Sequence, residues 1–183
     1  MTELLYQTDS YLKEFDAIVT ASSPEENAVV LDRTAFYPGG GGQPNDVGRL
    51  AGLSVVKVKK AGDDVLHMLE GQLPDVGTKV HGVIDWDRRY RLMRTHTAMH
   101  ILCGTVFRDY GAQVTGGDME PLKGRMDFEF ERLQKDLVSV IETAVNVEVA
   151  AGREIRVKIL PREEAFKIPD LIRTKINLLP EGI

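Results

Sequence analysis

The chain has 183 residues, 43% of them hydrophobic and 28% charged, enough for one large domain or two small ones, each with its own core. No apolar run approaches the ~18 residues that span a bilayer, and MTELLYQTDS lacks the basic start and apolar stretch of a secretion signal; no membrane partner is expected, and a cytoplasmic location is. A formal net charge of −5 argues against a nonspecific coat on nucleic acid, DNA included, and the single cysteine, Cys103, excludes an intramolecular disulfide.

The first 85 or so residues read as β. EFDAIVTASS, ENAVVLDRTAFYP, GRLAGLSVVKVKKAG, DDVLHMLEG and TKVHGVIDW are short runs rich in β-branched residues, separated by Gly, Pro, Asn and Asp clusters. That is the pattern of a small barrel or sandwich. Within it, DRTAFYPGGGGQPNDVGRL holds four consecutive glycines, Gly39 to Gly42, whose backbone can turn sharply and offer its N–H groups to a ligand. It is not a P-loop, since no Lys-Ser or Lys-Thr follows the glycines and the next segment is strand-like. A flexible hairpin and a binding loop both fit, and Gln43 and Asp46 lie where a binding loop carries polar contacts.

The character changes near Asp87. Leu92, Thr95, Met99, Leu102, Val106 and Phe107 recur at steps of three and four, predicting an amphipathic helix from Arg88 to Tyr110 that stops at Gly111. GRMDFEF alternates as a half-buried strand does, a second helix is predicted from about Arg132 to Ala150, EIRVKIL reads as another strand, and PREEAFK as a short helix. The fold class is therefore α+β, with a β-barrel-like domain over residues 1–87 and an α+β domain carrying the HxxxH helix over 88–183. Two basic patches stand out: VVKVKK (Lys57, Lys59, Lys60) and DRRYRLMR (Arg88, Arg89, Arg91, Arg94). Either is a solvated face or a grip on one end of an RNA.

His96 and His100 lie four residues apart, on one helix face with Cβ atoms ~6 Å apart, so both imidazoles could reach one ion. Cys103 returns to the same face and is geometrically available. The zinc-protease signature fails, because Thr97, Ala98 and Met99 supply no glutamate. Taken locally, a metal pair and a structural pair both remain open.

TAFYPGGGGQPNDVG (Thr34 to Gly48), RTHTAMHIL (Arg94 to Leu102), GRMDFEF (Gly124 to Phe130) and IRTKINLLPEGI (Ile172 to Ile183) occur in an order that resembles the editing domain of alanyl-tRNA synthetase and its free-standing relatives, the alanyl-tRNA editing (AlaX) proteins of medium length. The resemblance implies hydrolysis of Ser-tRNA(Ala) or Gly-tRNA(Ala), with the acceptor end of the mischarged tRNA as partner. A pocket shaped for a methyl group cannot strongly reject glycine or serine, so a second, hydrolytic site must supply the discrimination. It further implies zinc as cofactor, held by His96 and His100, with water as nucleophile and no residue assigned to activate it. Thr115 resembles the residue that reads the serine hydroxyl, Gln43 with Gly41 and Gly42 would face the same pocket, and Arg88, Arg89, Arg91 and Arg94 would hold acceptor-stem phosphates.

The resemblance also places a Cys-x-x-x-His zinc motif some way beyond INLLPEGI; LLPEGI reads as an interior connection, so a truncated form of a longer protein is expected. The alternatives are a tRNA-binding module without catalysis and a metal-dependent esterase of unrelated substrate. Nothing in the sequence fixes an oligomeric state.

Overall fold

Alternation of apolar and polar residues builds the first half of the protein. In the computed structural model, which describes residues 1–130, 136–169 and 171–173, β2 (Glu14–Ser23) turns Phe15, Ala17 and Val19 inward. The strand β7 (Asp64–Glu70) does the same with Val65, His67 and Leu69, and β8 (Lys79–Ile84) with Val80, Gly82 and Ile84. With β3 (Ala28–Leu31), β5 (Gly48–Leu50) and β6 (Leu53–Ala61) these strands close into a barrel of order β2-β3-β7-β6-β5-β8, every pairing antiparallel. Closure removes the exposed edges that an open sheet leaves. The short strands β1 (Glu3–Leu4) and β4 (Arg33–Thr34) pair in parallel beside it.

Two glycines permit the barrel's close approaches. A Cβ at Gly48 would lie 2.1 Å from the Val83 carbonyl oxygen, and one at Gly82 would enter the ring of Phe15, its cross-strand partner. The core packs Phe15 edge-on to Phe36, and Phe36 edge-on to His67. His67 is wholly buried because the alternation of β7 points it inward. Its Nδ1 lies 3.3 Å from the Val29 carbonyl, an acceptor only, so Nδ1 carries the proton and Nε2 accepts from the Thr34 hydroxyl at 2.7 Å. That hydroxyl in turn accepts the Phe36 N–H. Burial pushes the imidazole's pKa down to about 4. His81, by contrast, is an exposed β8 residue against Asp16 and Glu14.

The helix α1 (Trp86–Tyr110) begins where the Asp85 carboxylate accepts the Arg88 N–H at 3.1 Å, a side-chain cap. It ends at Gly111, whose φ of 66° lets its N–H return to the Phe107 carbonyl. Of the expected apolar stripe, Leu92, Thr95 and Val106 are buried and Met99, Leu102 and Phe107 are half-buried; Cys103 joins them in the interior. The hairpin β9 (Val114–Glu120) and β10 (Lys123–Phe128) follows, then α2 (Leu137–Ala150) and α3 (Arg162–Ala165). The expected start of the second helix, 132–135, lies outside the described residues. Among the described residues EIRVKIL pairs with no strand, and Ile155, Val157 and Ile159 are exposed; alternation makes a strand only where a partner edge hydrogen-bonds to it.

The chain divides into two compact units, Met1–Met93 with Met119–Leu122 and Arg94–Asp118 with Lys123–Ile183. Among the described residues no helix is long and apolar enough to cross a membrane.

Candidate functional site

In the first unit the four glycines form an ordered turn. Gly39, Gly40, Gly41 and Gly42 all have positive φ. Gly40 and Gln43 exchange backbone hydrogen bonds at 3.0 Å in both directions, closing a two-residue hairpin turn over Gly41 and Gly42. The Tyr37 hydroxyl donates to the Gly40 carbonyl at 3.0 Å, and the Met119 N–H donates to the Gly42 carbonyl at 3.1 Å. Gly41 and Gly42 are exposed at the tip and Gln43 is half-buried. The turn is thus held from both sides while its tip stays accessible.

Asp46, expected as a polar contact of a binding loop, and Arg89, expected to hold a phosphate, instead pair with each other inside the first unit. Asp46 is buried and accepts the Tyr37 N–H at 2.6 Å as well as Arg89 Nε at 2.9 Å. Arg89 is only 3% exposed; its guanidinium also pairs with Asp46 through Nη2 and donates to the carbonyls of Ala35 at 2.6 Å and Ser10 at 3.1 Å. A side chain so enclosed cannot touch a phosphate. The pair ties the first turns of α1 to the segment that carries the glycine turn. Arg88 donates to the Asn45 carbonyl at 2.8 Å, Arg91 pairs with Asp87 at 3.0 Å on the surface, and Arg94 is exposed.

In the second unit, glycines seat the β9–β10 hairpin on α1. A Cβ at Gly124 would lie 2.8 Å from Met99 Sδ and 3.3 Å from Thr95 Cγ2, and one at Gly117 would lie 3.4 Å from Met99 Cε. Thr115, half-buried on β9, therefore belongs to a hairpin packed on the helix segment that holds the histidines. His96 and His100 stack, ring centroids 4.8 Å apart and planes 14° from parallel. Burial, reinforced by His100, holds the His96 imidazole below its ordinary pKa; burial and the nearby Arg173 do the same to His100. Arg173, which spacing along the chain could not single out, brings its guanidinium over Gly104, beside His100 and Cys103. Burial pushes the Cys103 thiol up, against the opposing pull of Arg173.

A cleft of about 900 Å³ opens in this unit beside the pair, lined by Thr97, His100, Gly104, Arg108, Glu148 and Arg173 among others. Thr105 Oγ1 is buried in its wall with no hydrogen-bond partner among the described residues. Two neutral imidazoles on successive turns are donors of the kind zinc takes, and they fit half of a four-ligand set. Among the described residues no cluster of three His, Cys, Asp or Glu side chains could hold a metal ion, so Cys103 is not gathered with the pair.

Residues 5–88 match the family model described as tRNA synthetases class II (A). The chain is 44% identical over 181 residues to the alanyl-tRNA editing protein AlaX-M of Saccharolobus solfataricus, covering 94% of this chain and 75% of that one. It is 40% identical over 177 residues to the AlaX-M protein of Methanosarcina acetivorans, covering 90% and 72%. An alanine–tRNA ligase of Ignicoccus hospitalis is 43% identical over 171 residues, 90% of this chain but 19% of the ligase. The chain belongs to the AlaX-M family of alanyl-tRNA editing proteins.

Proposed function

We propose that this protein deacylates mischarged tRNA(Ala) in trans, acting on the seryl or glycyl ester in the cytoplasm. The observation that carries the reading is the stacked, neutral His96–His100 pair beside a cleft, in a chain whose relatives are named as alanyl-tRNA editing proteins. Water adds to the ester carbonyl; the bond to the ribose oxygen breaks; the free amino acid and the tRNA hydroxyl leave. His96 and His100 would hold zinc, which when bound supplies a Lewis-acidic charge that orients the aminoacyl end. The depressed pKa of both imidazoles keeps their nitrogens available as donors at neutral pH. Arg173 adds positive potential beside them, of the sign that favours an oxyanion.

Thr115 would hydrogen-bond the serine hydroxyl and so discriminate against alanine, which would leave that group unpaired. Gln43 with Gly41 and Gly42 would contact the substrate from the glycine turn, and Arg88, Arg91 and Arg94 would meet acceptor-stem phosphates. In this reading residues 1–87 present the glycine turn and 88–183 the hydrolytic site. The test is zinc content and Ser-tRNA(Ala) hydrolysis of His96→Asn and His100→Asn. Both variants are expected to lose metal and turnover together; full turnover in either would overturn the assignment.

A further inference from the structure

Three aromatic rings stand in a row on the surface of the first unit. Tyr11 packs against Trp86 with centroids 5.8 Å apart, and Trp86 stacks on Tyr90, one helical turn later, at 5.8 Å with planes 29° apart. Tyr11 is 62% exposed and Tyr90 43%, and none of the three belongs to the barrel's buried cluster. Their arrangement is built: Trp86 and Tyr90 share a face of α1 at i and i+4, and the Tyr11 N–H donates to Asp9 Oδ1 at 2.8 Å, which fixes the loop that presents it. Lys13 Nζ sits 4.9 Å from the Trp86 ring centroid. A connected row of exposed rings marks an interaction site where scattered apolar side chains would not.

The neighbours of the row say what kind of partner it fits. Lys13 covers Trp86, and the exposed Asp87–Arg91 ion pair comes from the same two turns of α1. Flat aromatic faces beside cations suit unpaired nucleotides, whose bases stack on any ring while the cations meet the phosphates. In a family named for editing alanyl-tRNA, RNA is the partner that these rings and Lys13 fit.

We propose that Tyr11, Trp86 and Tyr90 form a stacking platform for unpaired nucleotides of the tRNA substrate, with Lys13 at the backbone. The proposal rests on the editing reading above, because it takes tRNA as the substrate. With one face of Trp86 covered by Lys13, Tyr11 and Tyr90 offer the open faces.

The experiment measures the affinity of the wild type, Tyr11→Ala, Tyr90→Ala, Tyr90→Leu, Tyr11→Phe and Tyr90→Phe for labelled tRNA(Ala) at three salt concentrations. A single-stranded acceptor-end oligoribonucleotide and a blunt RNA duplex serve as comparison ligands, with Ser-tRNA(Ala) hydrolysis at saturating substrate alongside. Each Ala variant is expected to bind tRNA and single strand about tenfold more weakly, equally at every salt, because stacking releases no counterions. Tyr90→Leu keeps the apolar contact on the helix without the ring face, and it is expected to lose as much. Tyr11→Phe and Tyr90→Phe are expected to bind as the wild type does. Variants within twofold of wild type on tRNA, an equal loss on the blunt duplex, or a change only in self-association would each overturn the platform while wild-type hydrolysis upholds editing. A wild type that neither binds tRNA nor hydrolyses its ester would overturn both.

Discussion

Replacing Asp46 with alanine leaves the Arg89 guanidinium inside the protein without its counter-charge. In the native structure the two side chains are 4% and 1% exposed, and Asp46 accepts from Arg89 Nε at 2.9 Å and from the Tyr37 N–H at 2.6 Å. After the substitution Arg89 keeps only the carbonyls of Ala35 and Ser10 among these partners, and the Tyr37 N–H loses its side-chain acceptor. Removing one member of a buried ion pair costs about 3–5 kcal/mol, because the stranded charge stays desolvated. With a urea m value of about 1.5 kcal/mol/M, the unfolding midpoint should fall by about 2–3 M. Trp86, the one tryptophan, lies in the same unit and reports its unfolding by fluorescence. Asp46→Leu combined with Arg89→Met removes both charges and should recover most of the loss. A midpoint shift below about 0.5 M for Asp46→Ala would refute the reasoning, since it would mean that Arg89 is solvated.

Three further outcomes follow from the same structure. His67 is neutral in the fold down to about pH 4, whereas the unfolded imidazole takes its proton near 6.5; its contribution is complete above pH 6.5 and is lost as pH falls towards 4, by about 3 kcal/mol, and urea midpoints of His67→Gln should lose that slope. Gly48→Ala, whose Cβ would stand 2.1 Å from the Val83 carbonyl, should abolish cooperative unfolding, while Gly41→Ala, with nothing within 4 Å but a φ of 59°, should lose only about 1 kcal/mol in the same assay. The logarithmic slope of tRNA affinity against salt should fall by about one for Arg88→Ala, Arg91→Ala or Arg94→Ala, and should not change for Arg89→Ala, whose effect is on stability.

The sequence made the α+β character legible, and with it the helix ending at Gly111, because these depend on short-range periodicity and on one glycine's freedom to take positive φ. The strand expected over EIRVKIL failed for a related reason: its alternation is real, but pairing is decided by a distant edge. Arg89 looked like its basic neighbours in DRRYRLMR; only the fold shows that it turns inward to Asp46, 43 residues away. Likewise Asp46 sat where a binding loop carries its polar contacts, and it proved to anchor that loop. Arg173 carries no local signal at all, since its place over Gly104 is set by tertiary packing.

The measurement that bears most directly on the editing claim is release of labelled serine from Ser-tRNA(Ala), with Ala-tRNA(Ala) as the paired substrate. The account predicts rapid release of serine and retention of alanine, with Thr115→Val narrowing the difference between the two. Equal hydrolysis of both esters, or of neither, would contradict it.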